Sequence, residues 1–350
     1  MEREIKKDLK EGLKGVAGST IESLVKRMIA LPYERVRMAT DMGISLASIN
    51  LRSAVEMLKV APEVSRLIEA GDMKVWGEVG KRLSTTGPDI ATEFFRSSAA
   101  VLEAIPEDVR SPVLRLISKQ AALSAGTALE NFKSAPSLIT SIKDPDNIAL
   151  VLTTCLELAR HSVKHSSDLF LAAPSVISQI ESQKDRSDMV RRALALTSSF
   201  AFRSGGTAAE FFIELPQVIA SSQRDALDKL LTNTEGYLER SGGVALQYFK
   251  AASRVLLIAG EDAFARWTSL ARRVAMQGNA ASYHFMKASP QIVADLASRA
   301  GPRRRAQAIT AVLEIVEEIA EKNTLAAVEC FKASPTALGA ASLGQFRVWA

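Results

Sequence analysis

The sequence predicts an all-α protein, an α-solenoid of about eight helical repeats of about 37 residues each. A short pattern recurs along the chain: an aromatic residue, a proline four positions later, then apolar residues at helical spacing. The intervals between its proline positions are 37, 37, 38, 42, 37, 37 and 45 residues. Asn-Gly and Asp-Gly hairpin dipeptides are absent, and no alternating apolar run indicates a strand. The proline positions are Pro62, Ala99, Pro136, Pro174, Pro216, Ser253, Pro290 and Pro335.

The proline predicts how each repeat is divided into helices. Proline suits the first turn of a helix, because its missing N–H would be unpaired there. The pattern therefore predicts a helix that ends near the aromatic residue, a corner, and a short helix that begins at the proline. A longer amphipathic stretch precedes them, as in residues 113–122 and 263–275. We expect three helices per repeat, one long and two short, in an armadillo- or HEAT-like superhelix.

The position four residues before the proline is predicted to fill the core between neighbouring repeats. A large side chain that returns once per repeat fits stacking better than ligand contact. Two tryptophans, Trp76 and Trp267, also share one position, 23 residues before the proline position. The predicted core residues are Leu58, Phe95, Phe132, Phe170, Phe212, Phe249, Met286 and Phe331.

Two domains are predicted from where the pattern holds. Residues 1–45 fit it poorly and are dense in charge, so they are interpreted as an N-terminal helical cap with a degenerate repeat inside it. Residues 46–350 form the helical-repeat solenoid. Trp349 falls in phase with Trp76 and Trp267, which predicts a truncated last repeat. We expect the chain to be an excerpt of a longer protein, or its C-terminal face to be covered by a partner.

Composition indicates a cytoplasmic protein with no membrane span. The N-terminus carries charges of both signs and lacks the apolar core of a secretion signal. No stretch approaches the ~18 apolar residues that a membrane span needs. Cys155 and Cys330 lie in apolar helical contexts far apart in the stack, which favours reduced, buried thiols. The net charge of +5 is a mild excess, too small to indicate nucleic acid without clustering on one face.

A recurring acid and base form the first candidate interaction surface. An acidic residue lies six positions before the proline position in most repeats, and a basic residue often lies three before it. Spaced i, i+3 on a helix, each pair contributes about 0.2–0.5 kcal/mol. Stacked repeats would turn them into ladders, which either pair within and between repeats or present a docking surface. The candidates are Glu93, Arg96, Glu130 and Lys133.

An arginine run forms the second candidate surface. Arg303, Arg304 and Arg305 follow Gly-Pro in one of two insertions, the other being residues 183–188. Both insertions are predicted between the last helix of one repeat and the first helix of the next, where they would emerge on one side of the stack. An aligned row of arginines can track phosphates, so a basic helical-repeat protein that binds nucleic acid is the alternative function.

No catalytic, cofactor or metal site is predicted. Phosphate-binding loops, dinucleotide-binding loops and nucleophile elbows are absent from the sequence. His161 and His165 are expected four residues apart on one helix, a spacing that can bind a divalent metal. No second cluster completes a ligand shell, so we interpret them as an exposed polar face.

The repeat resembles a known type of helical region. Trp76-Gly-Glu-Val-Gly80 followed by Ala91-Thr-Glu-Phe-Phe-Arg96, and Trp267 followed by Phe285-Met-Lys-Ala-Ser-Pro290, carry the resemblance. They are similar to the helical-repeat regions in front of a von Willebrand factor A domain in proteins of the nitric-oxide-reductase-activation and Rubisco-activation type. The resemblance implies a cytoplasmic adaptor that works with a MoxR-type AAA+ ATPase on a target enzyme. The Asp-x-Ser-x-Ser metal site of such proteins is absent, so no functional residue is transferred.

The sequence therefore predicts a non-catalytic protein–protein interaction scaffold or adaptor. It favours a protein partner, the ATPase or its target, over nucleic acid. The mechanism would be presentation, in which a rigid helical surface holds a target near a second protein.

Overall fold

The fold is all-α and solenoid-like. The computed structural model describes residues 1–142, 144–182, 187–203, 205–222, 224–301 and 303–340. Over these ranges it has eighteen α-helices and no strand. Trp349 and residues 183–186 of the first insertion lie outside them. The helices are α1 Glu2–Gly12, α2 Gly18–Met28, α3 Tyr33–Ala47, α4 Leu51–Leu67, α5 Ala70–Thr86, α6 Pro88–Glu103, α7 Glu107–Ala121, α8 Ala125–Ser141, α9 Pro145–Ala159, α10 Val163–Glu181, α11 Ser187–Arg203, α12 Gly205–Ser221, α13 Arg224–Leu238, α14 Gly242–Ala259, α15 Glu261–Met276, α16 Asn279–Ala300, α17 Arg305–Lys322 and α18 Thr324–Ala340.

Each sequence repeat holds two helices, so the prediction of three helices per repeat is wrong. From α3 onward, an odd-numbered helix and the following even-numbered helix make one repeat. The proline expected to begin a short third helix lies inside the even-numbered helix. These interior prolines are Pro62, Pro136, Pro174, Pro216, Pro290 and Pro335.

Burial on both sides of the proline explains why the helix continues through it. An interior proline removes one backbone hydrogen bond and costs about 3 kcal/mol. In α8 the apolar face runs without a change of phase from Phe132 and Ala135 to Leu138 and Ile139, and all four are buried. Fully burying one large apolar side chain contributes about 1.5–3 kcal/mol, so the continuous face outweighs the local penalty.

In the N-terminal unit, Met1–Ser178, the helix pairs stack in two layers. Helices α5, α7 and α9 pack side by side in one layer, and α4, α6 and α8 in the other. Contacts between α3 and α4, α5 and α6, and α7 and α8 close each pair. Helices α1 and α2 pack on α3 and α4, so they extend both layers. The division of the chain at residue 45 stays a prediction.

In the C-terminal unit, Gln179–Ala350, the described helices follow the same plan. The second helices α12, α14, α16 and α18 pack in sequence, and α15 packs on α17 in the other layer. The second insertion lies between α16 and α17, as predicted, and Gly301 within it takes a left-handed conformation with φ of 75°. The two layers leave one side of each first helix facing outward.

The core between neighbouring pairs is the one that the sequence predicts. All eight side chains at the position four before the proline are fully buried. Rings from successive second helices meet directly, with centroids 4.7 Å apart for Phe94 and Phe132 and 4.6 Å apart for Phe211 and Phe249. Such aromatic contacts contribute about 0.5–1.5 kcal/mol beyond area burial. The predicted packing of these side chains in the core is confirmed.

Candidate protein-interaction surfaces

The charged residues of the second helices bind one another across neighbouring helix pairs. Lys133 Nζ in α8 lies 2.8 Å from Glu93 Oε1 in α6, and Arg96 Nη2 in α6 lies 3.6 Å from Glu56 Oε1 in α4. The base of one repeat thus reaches the acid of the repeat before it. Of the two readings that the sequence leaves open, pairing accounts for the contacts of Glu93, Arg96 and Lys133.

Glu56 and Glu93 are acids held in the charged form by these partners. Burial raises the pKa of Glu56, but hydrogen bonds from Lys59 and Arg96 outweigh it, so its pKa lies below the usual range. The hydrogen bond and charge of Lys133 likewise lower the pKa of Glu93. Exposed pairs of this kind contribute about 0–1 kcal/mol each, so they set the register of stacked helices more than their stability.

The ladder of ion pairs is interrupted at Glu130 and occurs again in the C-terminal unit, where Lys250 Nζ of α14 lies 2.8 Å from Glu210 Oε2 of α12. Glu130 is exposed in α8, and the position that would supply its base in the next repeat is Leu171, which is 45% exposed. In the described part of the chain Glu130 has no ion-pair partner. Among the four residues of the predicted surface, Glu130 is therefore the one whose charge is directed to solvent.

The arginine run begins α17. Arg303 and Arg304 lie in the turn, Arg305 is the first residue of the helix, and all three are exposed. Positive charges at a helix N-terminus interact unfavourably with the helix dipole, so helix stability does not explain why the three arginines lie at the start of α17. Their role in binding stays a prediction.

A groove that sequence reasoning did not identify lies between α13 and α15. It has a volume of about 780 Å³ and continues into a second cavity of about 370 Å³, which shares four of its lining residues. We call the two together the α13–α15 groove. It runs between the first helices of two neighbouring repeats, on the outward side of their layer. Its lining includes Ala226, Lys229, Asn233, Phe264, Thr268 and Arg272, and Tyr237, Arg240 and Met276 at the other end.

Two polar residues lie where most other repeats bury aliphatic ones. Twenty-two residues before the proline position, five other repeats bury Leu114, Leu152, Leu194, Leu231 and Leu313, whereas the first two repeats have Thr40 and Gly77; here the residue is Thr268. Twenty residues before it, most repeats bury an aliphatic side chain such as Leu116 or Leu270; here the residue is the half-buried Asn233. The groove therefore forms where large apolar side chains are missing from facing positions.

A chain of hydrogen bonds replaces the missing apolar contact. Arg272 Nη2 donates to Asn233 Oδ1 at 2.6 Å, and Asn233 Nδ2 donates to the Tyr248 hydroxyl at 3.0 Å. The Tyr248 hydroxyl lies 3.4 Å from Thr268 Oγ1. Tyr248 is fully buried in α14, and its hydroxyl connects Asn233 of α13 to Thr268 of α15. These bonds connect α13, α14 and α15 behind the groove.

The end of the groove near Tyr237 holds an unsatisfied donor. The Tyr237 hydroxyl is buried and has no hydrogen-bond partner among the described residues. Burial raises its pKa, while the nearby charges of Arg272 and Arg240 act in the opposite direction. The hydroxyl therefore stays protonated at neutral pH. A buried hydroxyl without an acceptor costs about 1–3 kcal/mol.

The two histidines do not share a helix face, contrary to the expectation from the sequence. His161 lies in the turn between α9 and α10, and His165 lies in the first turn of α10. Across the described ranges, no three His, Cys, Asp or Glu side chains are grouped so that they could hold a metal ion. Burial raises the pKa of both Cys155 and Cys330, which disfavours the reactive thiolate.

Comparison with known proteins adds no further identification. No family model, no curated protein and no solved structure matches the chain. Every helix within the described ranges is too short or too polar to cross a bilayer.

Proposed function

We propose that this chain is a non-catalytic protein–protein interaction scaffold whose binding surface includes the α13–α15 groove. The observation that supports it is the opening of about 780 Å³ between two helices that would otherwise be neighbours in a packed layer. Helical-repeat proteins bind partners on extended surfaces of this kind. The charged residues of α4, α6 and α8 have a secondary role in the proposed binding, because they form ion pairs with one another.

The partner that we propose follows from the sequence resemblance. In a longer protein, this chain would work in the cytoplasm as an adaptor that links a target enzyme to an AAA+ ATPase. The support is the pattern around Trp76 and Trp267, together with the alternation of helix pairs. Nucleic acid is the second candidate, since Arg303, Arg304 and Arg305 form an exposed basic run at the start of α17.

Affinity purification with the full chain tests the proposed function. The immobilised chain is exposed to an extract of its source cells with and without nuclease, and retained proteins are identified by mass spectrometry. We expect one or a few proteins in stoichiometric amount, retained with nuclease present; an AAA+ ATPase among them would support the adaptor role. Retention that disappears with nuclease would support nucleic acid binding instead, and an empty eluate would contradict the scaffold.

A further inference from the structure

The α13–α15 groove has the length of a short helix. Helix α13 has 15 residues and α15 has 16, so the two walls extend for about 22–24 Å at 1.5 Å per residue. Met276, which is 74% exposed, lies at one end of the groove, and Phe264 is buried in the wall toward the other end. A partner helix that lies along the groove could cover Met276 with its apolar residues. This is the helix-in-groove mode of recognition.

The charges at the groove favour an acidic occupant. Lys229, Arg240 and Arg272 are exposed along it, whereas Arg273 is half-buried and pairs with Glu321, with 3.7 Å between Nη2 and Oε1. Of the acids that line it, Asp228 is bound to Arg192, with 2.6 Å between Nη1 and Oδ1. The other acid, Glu261, is the first residue of α15 and lies at the end opposite to Arg240.

The Tyr237 end of the groove holds two of these cations. Arg240 and Arg272 line one cavity there, next to the buried side chain of Tyr237. Arg272 uses Nη2 for Asn233, and a guanidinium has five N–H donors, so an edge of the group remains for a bidentate acceptor. A carboxylate is such an acceptor.

We propose that the α13–α15 groove binds an acidic amphipathic helix of a partner protein. The inference rests on the proposed scaffold function and specifies the chemistry of the partner. Carboxylates of the helix pair with Arg240 and Arg272, and its apolar face covers Met276. The groove stays open in this chain because Asn233 and Thr268 replace the residues that would fill it.

Binding of a synthetic peptide tests the charge preference. The probe is a fluorescein-labelled helix of about sixteen residues, the length of α15, with leucine at i, i+3, i+4 and i+7 and glutamate on the other positions. The control replaces every glutamate by lysine. Fluorescence anisotropy with the full chain should show binding of the glutamate peptide that weakens with salt, and about tenfold or weaker binding of the lysine peptide. Equal binding of both, or none of the glutamate peptide, would overturn the inference.

Two sets of variants locate the site. Arg240→Glu with Arg272→Glu should weaken the glutamate peptide about tenfold or more, whereas Arg303→Glu with Arg304→Glu, a matched charge change elsewhere, should leave its affinity unchanged. The reverse result would move the site to the arginine run and overturn the inference. A labelled single-stranded oligonucleotide that displaces the peptide and binds more tightly would also overturn it, in favour of nucleic acid.

Filling the groove gives a test that does not change its charge. The triple variant Asn233→Leu, Tyr248→Phe and Thr268→Leu restores the residues that other repeats place at these positions. It should keep its helical circular dichroism, melt at the same or a higher temperature, and lose the glutamate peptide. Unchanged affinity of the folded triple variant for the glutamate peptide would overturn the inference. If the triple variant does not fold, the affinity of the Arg240→Glu, Arg272→Glu variant tests the inference in its place. If the triple variant still retains a partner protein from cell extract, the proposed scaffold function is supported and only the assignment of the binding site to the groove is contradicted.

Discussion

The indole of Trp76 in α5 donates a hydrogen bond from Nε1 to Ser98 Oγ in α6, over 2.8 Å. The same bond joins Trp267 in α15 to Ser289 in α16, over 3.0 Å and with the same separation of 22 residues along the chain. Both serine hydroxyls also donate to the carbonyl four residues earlier in their own helix. Two distant repeats thus build one identical buried bridge between their first and second helices.

Removal of the acceptor should destabilise the N-terminal unit. In Ser98→Ala the buried indole N–H of Trp76 is left without a partner, which should lower the free energy of unfolding by about 1–3 kcal/mol. Urea unfolding followed by circular dichroism measures the change. Ser97→Ala is the matched control, because the Ser97 hydroxyl bonds only within its own helix. Equal effects of the two substitutions would show that the bridge contributes nothing.

Gly80 should not tolerate a side chain. A Cβ at this residue of α5 would lie 1.8 Å from Cζ of Phe95, a buried ring that packs edge-to-face against Trp76 at 5.1 Å. Gly80→Ala should therefore cost about 1–3 kcal/mol or more through overpacking. Gly71→Ala in the same helix meets no atom within 4 Å and should be neutral or slightly stabilising. Thermal melts of the two variants give the comparison, and a neutral Gly80→Ala would contradict the packing described.

Asn131 should be essential to a buried polar network in the N-terminal unit. Its amide donates to Gln120 Oε1 at 3.1 Å and accepts from Ser167 Oγ at 3.0 Å, which ties α8 to α7 and α10. Asn131→Leu keeps the branched shape of the side chain but is larger and leaves both partners unpaired, so a loss of about 2 kcal/mol or more is expected in urea unfolding. The exposed neighbour Glu130→Gln should change stability by less than about 0.5 kcal/mol. A stable Asn131→Leu would mean that the network can rearrange.

Glu56 should give stability a dependence on acid pH. Its pKa in the folded protein lies below the unfolded value of about 4.3, so its contribution is complete above that value and is lost as the pH falls through the folded pKa. Glu56→Gln should be less stable than the parent at pH 7, and the difference should shrink below about pH 4. Glu103→Gln, an exposed acid of α6, is the control for general charge effects. A difference that grows toward low pH would contradict the assignment.

Much of the packing could be predicted from the sequence because stacked repeats must fill the same space each time. Phe95, Phe132 and Phe212 share one position and are all fully buried. The helix count could not be predicted from proline alone. Pro136 has a strong local preference for a helix start, but the apolar face that continues past it is a tertiary effect, and it outweighs that preference.

The candidate site was predictable only in part. Lys133 can reach Glu130 in its own helix or Glu93 in the preceding repeat, and the choice depends on side-chain rotamers that spacing does not determine. The groove left a signal in the alignment of repeats, since Asn233 and Thr268 break columns that are otherwise mostly aliphatic. A polar residue in such a column does not by itself predict an opening, because Thr40 and Thr154 lie in the same two columns and are fully buried. The volume of the opening depends on how far the surrounding helices relax, which sequence does not give.

The most direct measurement is site-directed cross-linking in the α13–α15 groove. Met276→Cys places an exposed thiol at the groove, in a chain whose two native cysteines are buried. A bromoacetyl-labelled glutamate peptide should alkylate this thiol much faster than the matched lysine peptide, and much faster than a thiol at Leu123→Cys, an exposed position of the N-terminal unit. Equal rates for the two peptides, or for the two positions, would contradict the account of the groove as a docking site.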